Sequence, residues 1–179
     1  GTGLDILSVG NRVRIVGTVQ YYEGGGTWQV SDLNYRMMKP DDPGNIRMLS
    51  QGNAPAWTLT DPETFANGEV TVQLGDQVAV LPYAQMALGT SVEMQGLKVL
   101  DIHTTENEDS SSDGAMTLYC EAEGIPITVR TGLLLDSAGA RITADTYLGK
   151  TIDVKGIVDL FGGTYQIKVF AAKNITINE

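Results

Sequence analysis

Cysteine and histidine are nearly absent: the 179 residues contain one of each. A single Cys excludes an intrachain disulfide framework and any thiolate zinc cluster, and a single His excludes a multi-histidine metal centre. No apolar run approaches the ~20 residues of a membrane-spanning helix. Positive charge is scarce as well, with 12 Lys+Arg against 22 Asp+Glu and a formal net charge of -10. Residues 1–85 carry 5 basic and 9 acidic side chains, and residues 86–179 carry 7 and 13. Neither half has the basic stripe through which counterion release drives binding to a phosphate backbone, so charge disfavours non-specific nucleic-acid binding. No G-x-S-x-G, P-loop, H-E-x-x-H or suitably placed G-x-G-x-x-G occurs. Gly24-Gly25-Gly26 joins two strand-like runs and opens no helix, so it is no phosphate cradle. These absences argue against an enzyme and give no reason to expect a cofactor or a metal.

What is present is a core and many turns. Hydrophobic residues make up 42% of the chain, and there are 21 Gly. Short alternating apolar runs broken by Gly and Asn-Gly, Asp-Gly or Gly-Gly pairs read as an all-β protein. Val13, Ile15, Gly17 and Val19 alternate with Arg12, Arg14, Val16 and Thr18, the period-2 pattern of a half-buried strand. After the Gly-rich turn, Trp28 and Val30 mark its partner. Residues 148–158 repeat the pattern of 9–19, and Gly162-Gly163-Thr164-Tyr165-Gln166-Ile167 repeats Gly25-Gly26-Thr27-Trp28-Gln29-Val30. The match reads as an internal duplication. In each copy a mid-strand glycine (Gly17, Gly156) marks a bulge or sharp coil.

Between the copies, Asp61 followed by Pro62 predicts the start of a short helix. Glu69–Val72 and Gln77–Leu81 read as a hairpin around Gly75-Asp76. Ser91–Ile102 reads as a long strand broken by Gly96, and Met116–Cys120 with Ile125–Arg130 as a hairpin across Glu123-Gly124. Thr104–Gly114 is polar and acidic and reads as a mobile loop. Ala138–Tyr147 is the best internal helix candidate, weakened by Gly139 and its threonines.

From residue 88 onward the order is long kinked strand, hairpin, short helix, closing hairpin. With Val154-Lys155-Gly156-Ile157-Val158 and Tyr165-Gln166-Ile167-Lys168-Val169, this resembles the OB-fold, a five-stranded Greek-key barrel. The expected architecture is a tandem of OB-like barrels, 1–87 and 88–179, the first partial or divergent. Either an upstream part of the first barrel is missing, or its hairpin begins a divergent barrel completed by residues 65–83. The whole resembles tandem OB-type modules of exported bacterial proteins, some of them lipid-anchored. That resemblance implies an extracytoplasmic, non-enzymatic binding module for single-stranded nucleic acid or another oligomeric ligand. The alternatives are a structural or protein-interaction domain of a larger exported protein, and a carbohydrate-binding module. No charged and apolar leader opens the chain, and Gly1-Thr2-Gly3 reads as a processed or cloned terminus that leaves room for one upstream.

The candidate ligand-binding residues are Arg12, Arg14, Tyr22, Gln29, Lys155 and Phe161. Arg12 and Arg14 share an outward face, with Gln29 expected across from them, and suit a phosphate or an acidic partner. The second copy has Thr151 and Asp153 at these positions, which favours a structural reading of the pair. Tyr21, Tyr22 and Phe161 lie at hairpin turns, where aromatics can stack on bases or sugars. Trp28 and Tyr165 share faces with apolar neighbours and read as core. Asp109–Gly114 has the texture of a calcium loop, but position twelve is Cys120 rather than Glu, so it reads as a solvated loop. Cys120 shares parity with Met116 and Leu118 and reads as a buried small hydrophobe, not as a nucleophile for His103.

Overall fold

The computed structural model describes residues 4–24, 27–31 and 46–178. The chain forms two compact units, Gly1–Ala56 and Trp57–Glu179. Residues 57–87, grouped with the N-terminal unit on sequence pattern, belong to the second unit, because Phe65, Ala84 and Ala87 are buried in its core.

The described part of the first unit is two ribbons. Strand β1 (Arg12–Ile15) pairs antiparallel with β4 (Ile46–Ser50), and β2 (Thr18–Tyr22) with β3 (Thr27–Ser31). The single long strand expected over 12–19 is thus two strands, separated at Val16-Gly17, each with its own partner. On the first ribbon the alternation holds: Val13, Ile15, Ile46 and Met48 share one face, and Ile46 is fully buried. On the second ribbon it does not produce burial. Trp28 is 70% exposed, so its reading as core is corrected. The physical reason is that this ribbon is not rolled into a barrel by further strands among the described residues. Trp28 instead packs on its cross-strand neighbour Tyr21, with ring centroids 5.5 Å apart.

The second unit begins with β5 (Thr58–Leu59) and the helix α1 (Pro62–Asn67). Asp61 caps that helix as expected, accepting the Thr64 amide at 2.8 Å, with Pro62 in the first turn. The expected hairpin follows as β6 (Glu69–Leu74) and β7 (Gln77–Pro82), then the short helix α2 (Tyr83–Met86). Five strands close a barrel: β8 (Ser91–Thr104), β9 (Met116–Ala122), β10 (Ile125–Thr131), β11 (Thr151–Phe161) and β12 (Thr164–Val169). The ring order is β8-β9-β10-β12-β11, returning to β8, with β10–β12 the parallel pair and every other joint antiparallel. This is an all-β, OB-like barrel. Strand β13 (Ile175–Asn178) extends β11 beyond the ring.

Alternate residues fill the barrel: Met94, Leu97 and Val99 from β8, Leu118 and Cys120 from β9, Val129 from β10, Ile152 and Val154 from β11, Ile167 and Val169 from β12. The apolar phase slips by one between Met94 and Leu97. Gly96 absorbs the slip with a φ of +73°, and the β8–β11 register shifts at the same point. Gly156 is needed for a different reason. A Cβ there would lie 2.6 Å from the Lys168 carbonyl oxygen, so only glycine lets β11 coil so closely over β12.

The helix expected over 138–147 is a turn followed by one 3-10 turn, Ala144–Thr146. Backbone pairing explains this: Ile142 N–H donates to the Leu134 carbonyl at 3.0 Å and Asp136 N–H to the Ala140 carbonyl at 2.9 Å, and the Asp136 carboxylate closes the turn on the amides of Ala138 and Ala140, both at 2.8 Å, with Gly139 at a φ of +81°.

Candidate ligand-binding cleft

A cleft of about 660 Å³ lies on the outer face of β9, β10 and β12, between the 105–115 loop and the turn at Gly162-Gly163. Its floor follows from strand parity. Residues that alternate with the core point outward, and the register lines them up in two rungs. One rung runs Tyr119, Thr128, Gln166, Asp159; the next runs His103, Thr117, Arg130, Lys168. Phe161 closes the turn end and is 76% exposed, and Tyr119 is 47% exposed.

The polar groups of the floor hold one another in place. Arg130 donates from Nη1 to Thr117 Oγ1 at 2.8 Å and from Nη2 to Thr105 Oγ1 at 2.9 Å. A guanidinium has five N–H donors, so the remaining ones stay available to a ligand. Gln166 is buried and donates to Asp159 Oδ2 at 3.0 Å, and Lys168 Nζ lies 3.7 Å from the same oxygen. The Lys168 ammonium also sits 5.8 Å above the Phe170 ring. The floor therefore offers two cations, one carboxylate, several hydroxyls and two exposed aromatic rings.

The 105–115 loop is tied rather than loose. Thr105 and Gly114 stand at its neck, with Thr105 N–H on the Ala115 carbonyl at 2.8 Å and Gly114 N–H on the Thr105 carbonyl at 2.9 Å. Asp113 accepts the Asn107 amide at 3.0 Å and pairs with Arg141 at 2.9 Å. The Asn107 amide, and then the Arg141 guanidinium, hold its carboxyl below the ordinary aspartate range. Among the described residues no group of three or more His, Cys, Asp or Glu is arranged to hold a metal ion.

Of the residues singled out from sequence, Phe161 lines this cleft. Lys155 lies on β11 opposite Glu93 and pairs with it at 3.4 Å, away from the floor. Arg12 and Arg14 are exposed on β1, in the first unit. Gln29 is not their cross-strand neighbour: it stands opposite Gln20, while Arg12 faces Ser50 and Arg14 faces Arg47. Tyr22 folds over its own turn, where a Cβ on Gly24 would meet its hydroxyl at 2.8 Å. Tyr165 is half-buried against the barrel core, in line with its parity. Cys120 is 3% exposed, and burial pushes its thiol up to about 12. It stands opposite Val99 while His103 stands opposite Thr117, roughly 10 Å along β9, so the two form no catalytic pair.

Tyr119, Arg130 and Lys168 are the site residues that sequence reading passed over. Their signal was present as outward parity, an aromatic and a cation set between core residues of predicted strands. No family model matches the chain, and a search of curated proteins finds no match.

Proposed function

We propose that the barrel of the second unit is a non-enzymatic binding module that holds a single-stranded nucleic acid, or a comparable oligomeric chain, across the cleft. The observation that carries this reading is the position of the cleft: it crosses the middle strands of an OB-like barrel and is bounded by the β8–β9 loop and the β11–β12 turn. OB-type barrels bind oligonucleotides and oligosaccharides on this face. Tyr119 and Phe161 supply stacking surfaces, and Arg130 and Lys168 supply donors for a backbone. The resemblance to modules of exported bacterial proteins extends the proposal to an extracytoplasmic setting.

One observation favours an oligosaccharide as the second reading. Asp159 counters Lys168, and Glu106, Glu108 and Asp109 on the neighbouring loop are acidic and exposed. An uncharged, hydroxyl-rich chain would meet no repulsion there. Titration of labelled single-stranded DNA, RNA and oligosaccharides at low and moderate salt separates the two, because only a phosphate chain loses affinity steeply with salt. Absence of binding to all of them would leave the protein-interaction role as the reading.

A further inference from the structure

The first unit carries three exposed arginines on one two-stranded ribbon. Arg14 on β1 and Arg47 on β4 are direct cross-strand partners. Directly opposed residues of an antiparallel pair point to one face, with Cα atoms about 4.5–5.5 Å apart. Arg12 lies two residues before Arg14 on β1, across a register irregularity between Arg12 and Val13 that sets it opposite Ser50. All three are exposed. The opposite face of the ribbon holds Val13, Ile15, Ile46 and Met48, so Arg14 and Arg47 share the other face. Among the described residues none of the three has a carboxylate within ion-pair distance.

Like charges placed directly opposite each other destabilise a strand pair, and among the described residues this ribbon has two strands. The overall charge sharpens the contrast. Residues 1–56 hold five basic and five acidic side chains, so the whole net charge of -10 resides in residues 57–179. The ribbon is also fixed at its end. The Asn53 side chain and amide both donate to the Gly10 carbonyl, at 2.9 and 2.8 Å, beside Arg12. Gly10 has a φ of +89°, and a Cβ on it would lie 3.0 Å from the Asn53 carbonyl oxygen.

We infer that Arg14 and Arg47, with Arg12 beside Arg14 on β1, form a binding face for a linear phosphate polyanion, with one phosphate held between the opposed guanidiniums of Arg14 and Arg47. Guanidiniums match phosphate geometry through paired N–H donors, and a bound anion converts the Arg14–Arg47 repulsion into two attractions. The second copy of the duplication holds Thr151 and Asp153 in place of Arg12 and Arg14, so the face belongs to the first unit alone. This inference does not depend on the cleft.

The test is calorimetric titration of the full chain with sodium tripolyphosphate at low salt and again at moderate salt. The expected result is saturable binding that weakens with salt. Arg14→Ser and Arg47→Ser should each weaken it about tenfold, with circular dichroism confirming that each variant is folded. Arg47→Lys keeps the charge and loses the fork, and should fall between. Tyr119→Ala, in the cleft, should leave tripolyphosphate binding unchanged while affecting any cleft ligand. Equal binding by wild type and the serine variants would overturn the inference, as would no binding at all. Retention on phosphatidylglycerol vesicles without tripolyphosphate binding would also overturn it, and would assign the face to a membrane surface.

Discussion

The Asp153 carboxylate accepts the Gly96 amide at 2.8 Å, across the joint where β11 and β8 change register. The same oxygen accepts the Asn178 side chain at 2.7 Å, so one residue fastens the bulge of β8 and the end of β13 to β11. Asp153 stands where Arg14 does when residues 148–158 are aligned with 9–19. The charge difference between the two segments has a structural meaning: in the barrel this position locks a bulge, and an arginine there could not accept either bond. Replacement of Asp153 by Ala should cost roughly 2 kcal/mol, read as a lower urea midpoint with unchanged slope.

Gly156 tests the barrel from the inside. A methyl group at this position would meet both the Lys168 carbonyl oxygen and Ile167 Cγ2 at 2.6 Å. Backbone cannot yield as a flexible side chain can. Gly156→Ala should destabilise the fold by about 3 kcal/mol, at the upper end of overpacking effects, and equilibrium unfolding will measure it. Gly17, its counterpart in the aligned segment, lies between two strands rather than within one.

Cys120 should be silent to thiol reagents in the native protein at pH 8 and react on unfolding. Burial favours its neutral form and raises its value from 9.0 to about 12. The stabilisation is therefore fully present below pH 9, where both states are protonated. It is lost as pH rises from about 9 towards 12, because the unfolded thiol ionises first. A Cys120→Ala variant should show a flatter decline of stability over that window.

Asp113 links the loop at the cleft edge to Arg141, and its carboxyl titrates below the ordinary aspartate value of 3.8 because of the Asn107 amide and Arg141. A depressed value means that its contribution is present above the unfolded value and is lost as pH falls below it. Amide exchange of Asn107 should stay slow at neutral pH, and Asp113→Asn or Arg141→Ala should speed it without unfolding the barrel.

Local chemistry was legible in the sequence, and long-range register was not. The cap at Asp61-Pro62, the hairpin at Gly75-Asp76 and the Glu123-Gly124 turn depend on neighbouring residues, and each element forms where its residues indicate. Trp28 shows the limit. Its alternation with Val30 names a face but cannot say whether other strands cover that face. Ala138–Tyr147 shows another, because Leu134, Leu135 and Asp136, outside the pattern, pair with Ile142, Arg141 and Ala140 and fold the start of the segment back into a turn. The cleft lay hidden for the same reason. Tyr119 and Thr128 are hairpin neighbours, but their alignment with Gln166 requires the parallel β10–β12 joint, which no local pattern encodes. Phe161 sits at a turn, which singles it out in the sequence, whereas Arg130 and Lys168 lie inside strands, where no local pattern does.

The most direct test of the binding role is fluorescence anisotropy of labelled single-stranded DNA and RNA with wild type, Tyr119→Ala and Arg130→Ala, at low and moderate salt. The account expects wild-type binding that weakens with salt. Loss of the Tyr119 ring should cost about 1–3 kcal/mol, a stacking contribution that persists at both salt concentrations. Wild-type binding that neither substitution changes would contradict the cleft as the site, and no binding at high micromolar protein would contradict the nucleic-acid reading itself.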